Sequence, residues 1–122
     1  MKLYALAFLF TVCLFEIEAA RDWRSDTKIN YWQQINSIVN PALAQIRSEV
    51  NAKGTGAAEA CYERARLSFA SASSTGYNEV SSCVRAPAAQ GPANVCSQQA
   101  VSRVFEKRLV IHKEATACIN KT

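Results

Sequence analysis

The cysteines constrain this chain most. Cys61 and Cys83 stand 22 residues apart, and Cys96 and Cys118 repeat that step. At roughly 100° per residue, a step of 22 closes to within about 40° of six whole turns, so each pair lies on one face if the segment between them is helical. The pattern therefore predicts two matched rods joined by the twelve residues between Cys83 and Cys96. Folded back on one another, they form an antiparallel hairpin clamped by Cys83–Cys96 near the turn and by Cys61–Cys118 at the open end.

Four cysteines permit three pairings, and geometry separates them. Joining Cys61 to Cys83 links points about 33 Å apart along a helix, whereas a bridge needs Cα atoms within about 7 Å. Joining Cys61 to Cys96 and Cys83 to Cys118 requires parallel rods and a connection that travels the whole hairpin with almost no slack. In the favoured pairing, opposed residue numbers of the two rods sum to 179, which also sets Arg108 against Ser71. The Arg108 stem would then cover small residues while its head reaches water.

The fifth cysteine, Cys13, lies in a segment with a different role. Residues 1–20 carry one basic residue, Lys2, an apolar run over 3–15, and small residues at Ala19 and Ala20. This is the layout of a secretory signal peptide, too short for a membrane span, with cleavage expected after Ala19 or Ala20. Residues 21–122 then form one secreted domain with an even cysteine count, which in an exported chain implies disulfides. Loss of Lys2, Glu16 and Glu18 changes the formal charge from +4 to +5, since one of 14 basic and two of 10 acidic residues are removed. Acidic and basic residues alternate locally, Glu59 and Glu63 beside Arg64 and Arg66, and no basic stripe interleaved with aromatics appears. No nucleic-acid partner and no stable membrane insertion are expected.

The expected fold class is all-α, the disulfide-clamped hairpin with an additional N-terminal helix completing a three-helix bundle. Residues 21–28, RDWRSDTK, are expected to be an irregular lead-in with Ser25, Asp26 or Thr27 as a cap. Ile29, Trp32, Ile35, Ile38, Val39, Ala42, Leu43, Ile46 and Val50 follow at helical spacing. Pro41 implies either a kink or a restart at Asn40, and Gly54-Thr55-Gly56 ends this first helix. The second begins near Gly56 or Ala57, with Glu59 in its first turn, and shows a seam at Ala58, Tyr62, Ala65, Phe69, Ala72, Gly76, Val80 and Cys83. Its weak stretch is residues 71–76, SASSTG, expected to stay helical between its cross-linked ends, with a break there as the main alternative. Residues 86–94, APAAQGPAN, read as the turn, with Asn94 capping a third helix over residues 95–120. Its seam comprises Val101, Val104, Ile111, Ala115 and Cys118, with Arg108 in the middle.

Chemical signatures are few. One histidine, His112, and four widely spaced cysteines do not make a metal site, and no cofactor is implied. His112 follows an apolar run, and no nucleophile-elbow glycine pattern accompanies it, so an enzyme is not expected. Asn120-Lys121-Thr122 matches the N-glycosylation acceptor pattern. Trp23, Tyr31 and Trp32 are close in sequence and form a candidate binding cluster, with Arg108 a further candidate.

Ile29-Asn30-Tyr31-Trp32 opening the first helix, Cys61-Tyr62 opening the second, and Cys83, Cys96 and Cys118 beyond them resemble the TsetseEP-domain family of insect secreted proteins. The likeness covers nearly all of residues 21–122. It implies an extracellular helical protein of gut, haemolymph or reproductive secretions and supplies no catalytic residue. The family namesake's Glu-Pro repeat is not present in these 122 residues, so nothing of that tail carries over. Three functions compete on this reading. The first is an extracellular interaction module whose partner is a protein or a microbial surface. The second is a carrier of small hydrophobic ligands lined by Phe69, Phe105, Leu109 and the Trp23–Trp32 aromatics. The third is a cationic membrane-active defence protein.

Overall fold

The computed structural model describes the backbone of residues 2–85 and 89–122, and the side-chain surroundings of residues 23–85 and 89–122. Three helices pack pairwise: α1 (Lys2–Lys53), α2 (Gly56–Arg85) and α3 (Gln90–Asn120). This is the expected all-α three-helix bundle, with α2 and α3 forming the clamped hairpin.

Residues 21–28 are helical, not an irregular lead-in. Ser, Asp and Thr cap a helix only where the upstream chain leaves it, and no glycine or proline interrupts the sequence from Lys2 to Asn40. Thr27 instead faces inward and is buried. The helix also passes through Pro41 without a restart at Asn40. Pro41 is exposed, and so is Ser37, whose carbonyl loses the proline's missing donor, so water can satisfy it. Gly54 stops the helix at φ 68°, donating its N–H to the Val50 carbonyl at 3.0 Å. This left-handed position is where glycine carries no Cβ penalty. Thr55 then caps α2, its Oγ1 accepting from the Ala58 N–H at 3.1 Å.

The third helix starts at Gln90, earlier than residue 95, and takes in Gly91 and Pro92. Proline in a first turn costs little, because the N–H it lacks would have no intrahelical acceptor there. Asn94 consequently lies inside the helix and does not cap it; Ala89 occupies the N-cap position without a side-chain bond. Pro87, assigned to the turn, lies outside the described residues.

The core runs the length of the bundle. Tyr31, Ile35, Val39, Ala42, Ile46 and Val50 come from α1; Ala58, Cys61, Ala65, Phe69, Val80 and Val84 from α2; Ala100, Val104, Ala115 and Ile119 from α3. Trp32, Ile38, Leu43 and Tyr62 pack partly buried at its margin, whereas Ile29, counted with the apolar stripe, is 46% exposed. Each fully buried large aliphatic or aromatic side chain contributes about 1.5–3 kcal/mol. The SASSTG stretch is continuous helix. Ala72 and Gly76 face inward, while Ser71, Ser74 and Thr75 are exposed, so small size matters at two of its positions and polarity at the others.

Candidate functional site

Both expected cross-links are present. Cys83 and Cys96 have Cα atoms 5.5 Å apart across a separation of 13 residues, and Cys61 and Cys118 are 5.8 Å apart across 57. A cleft of about 150 Å3 beside the second bridge is lined by Cys61, Arg64, Ala65, Ser68, Ile111, Glu114, Ala115 and Cys118. These residues fall into opposed pairs with numbers summing to 179, as the hairpin register requires. Alanines at 65 and 115 leave the space.

The aromatic candidates do not form one cluster. Tyr31 is buried toward α3, its hydroxyl donating to Asn94 Oδ1 at 3.3 Å. Trp32, one residue on, faces α2 because a helix turns by about 100° per residue. Its Nε1 donates to the Tyr77 carbonyl at 3.4 Å, and the two ring centroids are 5.3 Å apart. The Tyr77 hydroxyl donates to Asn36 Oδ1. Trp23 carries the Arg24 guanidinium 5.1 Å from its ring centre, and Lys28 sits 5.0 Å over Trp32. Above this α1–α2 aromatic contact opens a groove of about 310 Å3 walled by Arg24, Ser25, Lys28, Ser81, Val84 and Arg85. Arg24 Nη1 reaches the Arg85 carbonyl at 3.5 Å.

On the α1–α3 side, Glu49 ties two α3 residues. Thr116 donates to its Oε2 at 3.2 Å, and His112 Nε2 lies 3.6 Å from Oε1. The sole histidine thus meets a carboxylate between helices. A second open groove, about 320 Å3, follows below, lined by Glu49, Ala52, Lys53, Thr116, Ile119 and Asn120. Asn120, the acceptor-pattern asparagine, closes α3 and is exposed. Arg108 is half-buried at mid-seam. Its guanidinium folds over Phe105 of its own helix, 5.5 Å from the ring centre, and its Nε is out of solvent and without a hydrogen-bond acceptor.

The residues grouped as liners of a carrier cavity point apart. Phe69 is 1% exposed in the core, while Phe105 and Leu109 are 44% and 54% exposed on the outside of α3. The outer surface otherwise carries short-range ion pairs: Arg47 with Glu59 and Arg103 with Glu79, each at 2.7 Å, and Arg66 with Glu63 at 3.0 Å. The hydrogen bond and charge of Glu63 raise the Arg66 pKa further above its already high ordinary value, so the guanidinium stays charged.

Tyr77, Lys28, Arg85 and Glu49 are not singled out by their sequence context. Tyr77 and Arg85 are nonetheless within reach of register. With Gly54 and Thr55 at the turn, opposed numbers of α1 and α2 sum to 109, which sets Trp32 against Tyr77 and Arg24 against Arg85. Among the described residues, no group of histidine, cysteine, aspartate or glutamate side chains is placed to hold a metal ion, and no helix is long and apolar enough to cross a membrane. Comparison with protein-family models, with curated proteins and with solved structures finds no match.

Proposed function

We propose that this chain is exported and acts outside the cell as a stiff helical module that binds another macromolecule, a protein or a microbial surface component, through its outer faces. The pair of cross-links carries the reading. Disulfides at both ends of a hairpin persist in oxidising compartments and are rare in reducing ones. They also remove the relative sliding of α2 and α3, so an exposed face is presented in one arrangement and ordering costs on binding are lower. The layout of residues 1–20 and the resemblance to TsetseEP-domain secreted proteins point to the same compartment. The carrier reading draws less support, because Phe69, Phe105 and Leu109 do not share a cavity. The membrane-active reading draws less still, since the buried seams of α2 and α3 are cross-linked against each other at both ends.

Expression of the full chain in a secretory cell tests the proposal. The medium should contain a species beginning at Ala20 or Arg21, and its non-reducing peptide map should join Cys61 to Cys118 and Cys83 to Cys96. Immobilised, the oxidised protein should retain a saturable partner from the surrounding secretion and lose it when both cross-links are removed. Retention inside the cell with free thiols would overturn the compartment. Failure to hold any partner at low micromolar concentration would overturn the role.

A further inference from the structure

The groove between α1 and the last turn of α2 gathers hydrogen-bond donors without acceptors to match. Among the described residues, Lys28 and Arg85 form no ion pair, and the Ser25 and Ser81 hydroxyls make no hydrogen bond. Among the described residues, no aspartate or glutamate lines the groove. Arg24 closes one side by reaching the Arg85 carbonyl, which brings a third cation to the same rim. Opposing them is the C-terminal end of α2, whose macrodipole amounts to about half a negative charge. The whole charges of Lys28 and Arg85 outweigh it.

The donors stand on a fixed base. Lys28 is held over the Trp32 ring, Trp32 is bonded to the Tyr77 carbonyl, and the Tyr77 hydroxyl is bonded to Asn36. Such a base limits the side-chain freedom lost when a ligand arrives. We propose that this groove binds a tetrahedral oxyanion, the phosphoryl or sulfuryl group of a monoester. Lys28 supplies a point charge, Arg85 a planar fork of N–H donors, and the two serines neutral donors. A phosphate monoester brings three strong acceptor oxygens and between one and two negative charges near neutral pH, which complements this set. Val84 is the single apolar wall, available to the carbon that bears the ester oxygen. The site is a cleft between two helices, so a protruding group enters it, whereas a flat anionic bilayer meets only its rim.

This inference goes beyond the proposed role and is tested separately on purified, oxidised protein. Amide resonances are followed while inorganic phosphate, inorganic sulfate or a sugar monophosphate is added, with ionic strength held constant by chloride so that screening does not change. Saturable shifts centred on Lys28, Ser81, Arg85 and the Trp32 indole are expected. Phosphate and sulfate arms that saturate alone identify a free anion as sufficient, and saturation only with the sugar monophosphate identifies the ester as required; either supports the site. K28Q/R85Q should weaken binding by at least about tenfold, about 1.4 kcal/mol, while K107Q/K113Q on the exposed face of α3 should leave it unchanged. Arg85, Lys107 and Lys113 are exposed and Lys28 is half-buried, and equal thermal melts establish that each variant is folded. Shifts that fail to saturate and spread over every basic residue would overturn the proposal without relying on any variant. So would binding to phosphatidylserine-containing vesicles that added phosphate does not compete away.

Discussion

The α2–α3 hairpin and α1 are buried to a similar degree by different means. The buried faces of α2 and α3 are built largely of small residues, Ala58, Ala65, Ala72 and Gly76 on one and Ala93, Ala100 and Ala115 on the other, with covalent bonds at both ends. α1 has no cysteine after residue 13 and inserts bulk instead, with Ile35, Val39, Ile46 and Val50 all nearly inaccessible. An alanine removes far less apolar surface from water than an isoleucine. One part of the molecule is therefore stabilised substantially by restricting the unfolded chain, and the other by transfer of apolar surface.

Removing the two cross-links in turn should give the largest effect and is the direct way to break this comparison. Loop-closure entropy assigns about 4 kcal/mol to the 57-residue separation and about 3 kcal/mol to the 13-residue one. C61A/C118A should therefore lower the urea midpoint more than C83A/C96A, with a rise in the m-value as the denatured chain expands. In the oxidised protein, α1 amides should exchange more readily than those of α2 and α3, and loss of the long bridge should narrow that gap. Equal losses from the two pairs, with unchanged m-values, would mean the bridges act by native contacts and not through the unfolded chain.

Gly76 is where the two means meet. A Cβ there would lie 2.7 Å from Val104 Cγ2 and 3.0 Å from Ile35 Cδ1, so all three helices touch at this point. Propensity alone favours alanine over glycine inside a helix by about 1 kcal/mol. Ile35 and Val104 are 0% and 2% exposed and have little room to withdraw, so overpacking should outweigh propensity. Gly76→Ala is expected to destabilise by about 2 kcal/mol, with much of the loss recovered when Val104→Ala is added. A higher melting temperature for Gly76→Ala would show that α1 sits loosely on the hairpin.

How much is legible in the sequence follows from which constraints are local. A 22-residue cysteine step and a helical repeat are properties of the chain itself, so both cross-links, the hairpin and its register can be read from residue order alone. The start of α3 cannot, because Pro92 reads as a breaker until the position of the first turn is known. Residues 21–28 are obscured for a related reason: Ser25, Asp26 and Thr27 have capping chemistry whether or not a helix begins there. Among the site residues, Trp32 and Tyr31 stand out as aromatic, but that they diverge to α2 and α3 depends on where α1 lies between its neighbours. The seam pattern locates Arg108 along α3. Its turn onto Phe105 depends on an outward aromatic that a reading of the inward stripe leaves aside.

The smallest expected effect concerns a polar group inside the region of small residues. Ser97 is fully buried on α3, and its Oγ has no hydrogen-bond partner. A buried hydroxyl that exchanges water for nothing carries its desolvation cost uncompensated. Ser97→Ala removes that cost, improves helix propensity and takes away only one atom, leaving a void too small to offset the gain. The variant should be more stable by about 1 kcal/mol, read as a higher urea midpoint at constant m. A loss of stability on this substitution would mean that the hydroxyl bonds within the core, and that the α3 seam depends on a polar contact as well as on its cross-links.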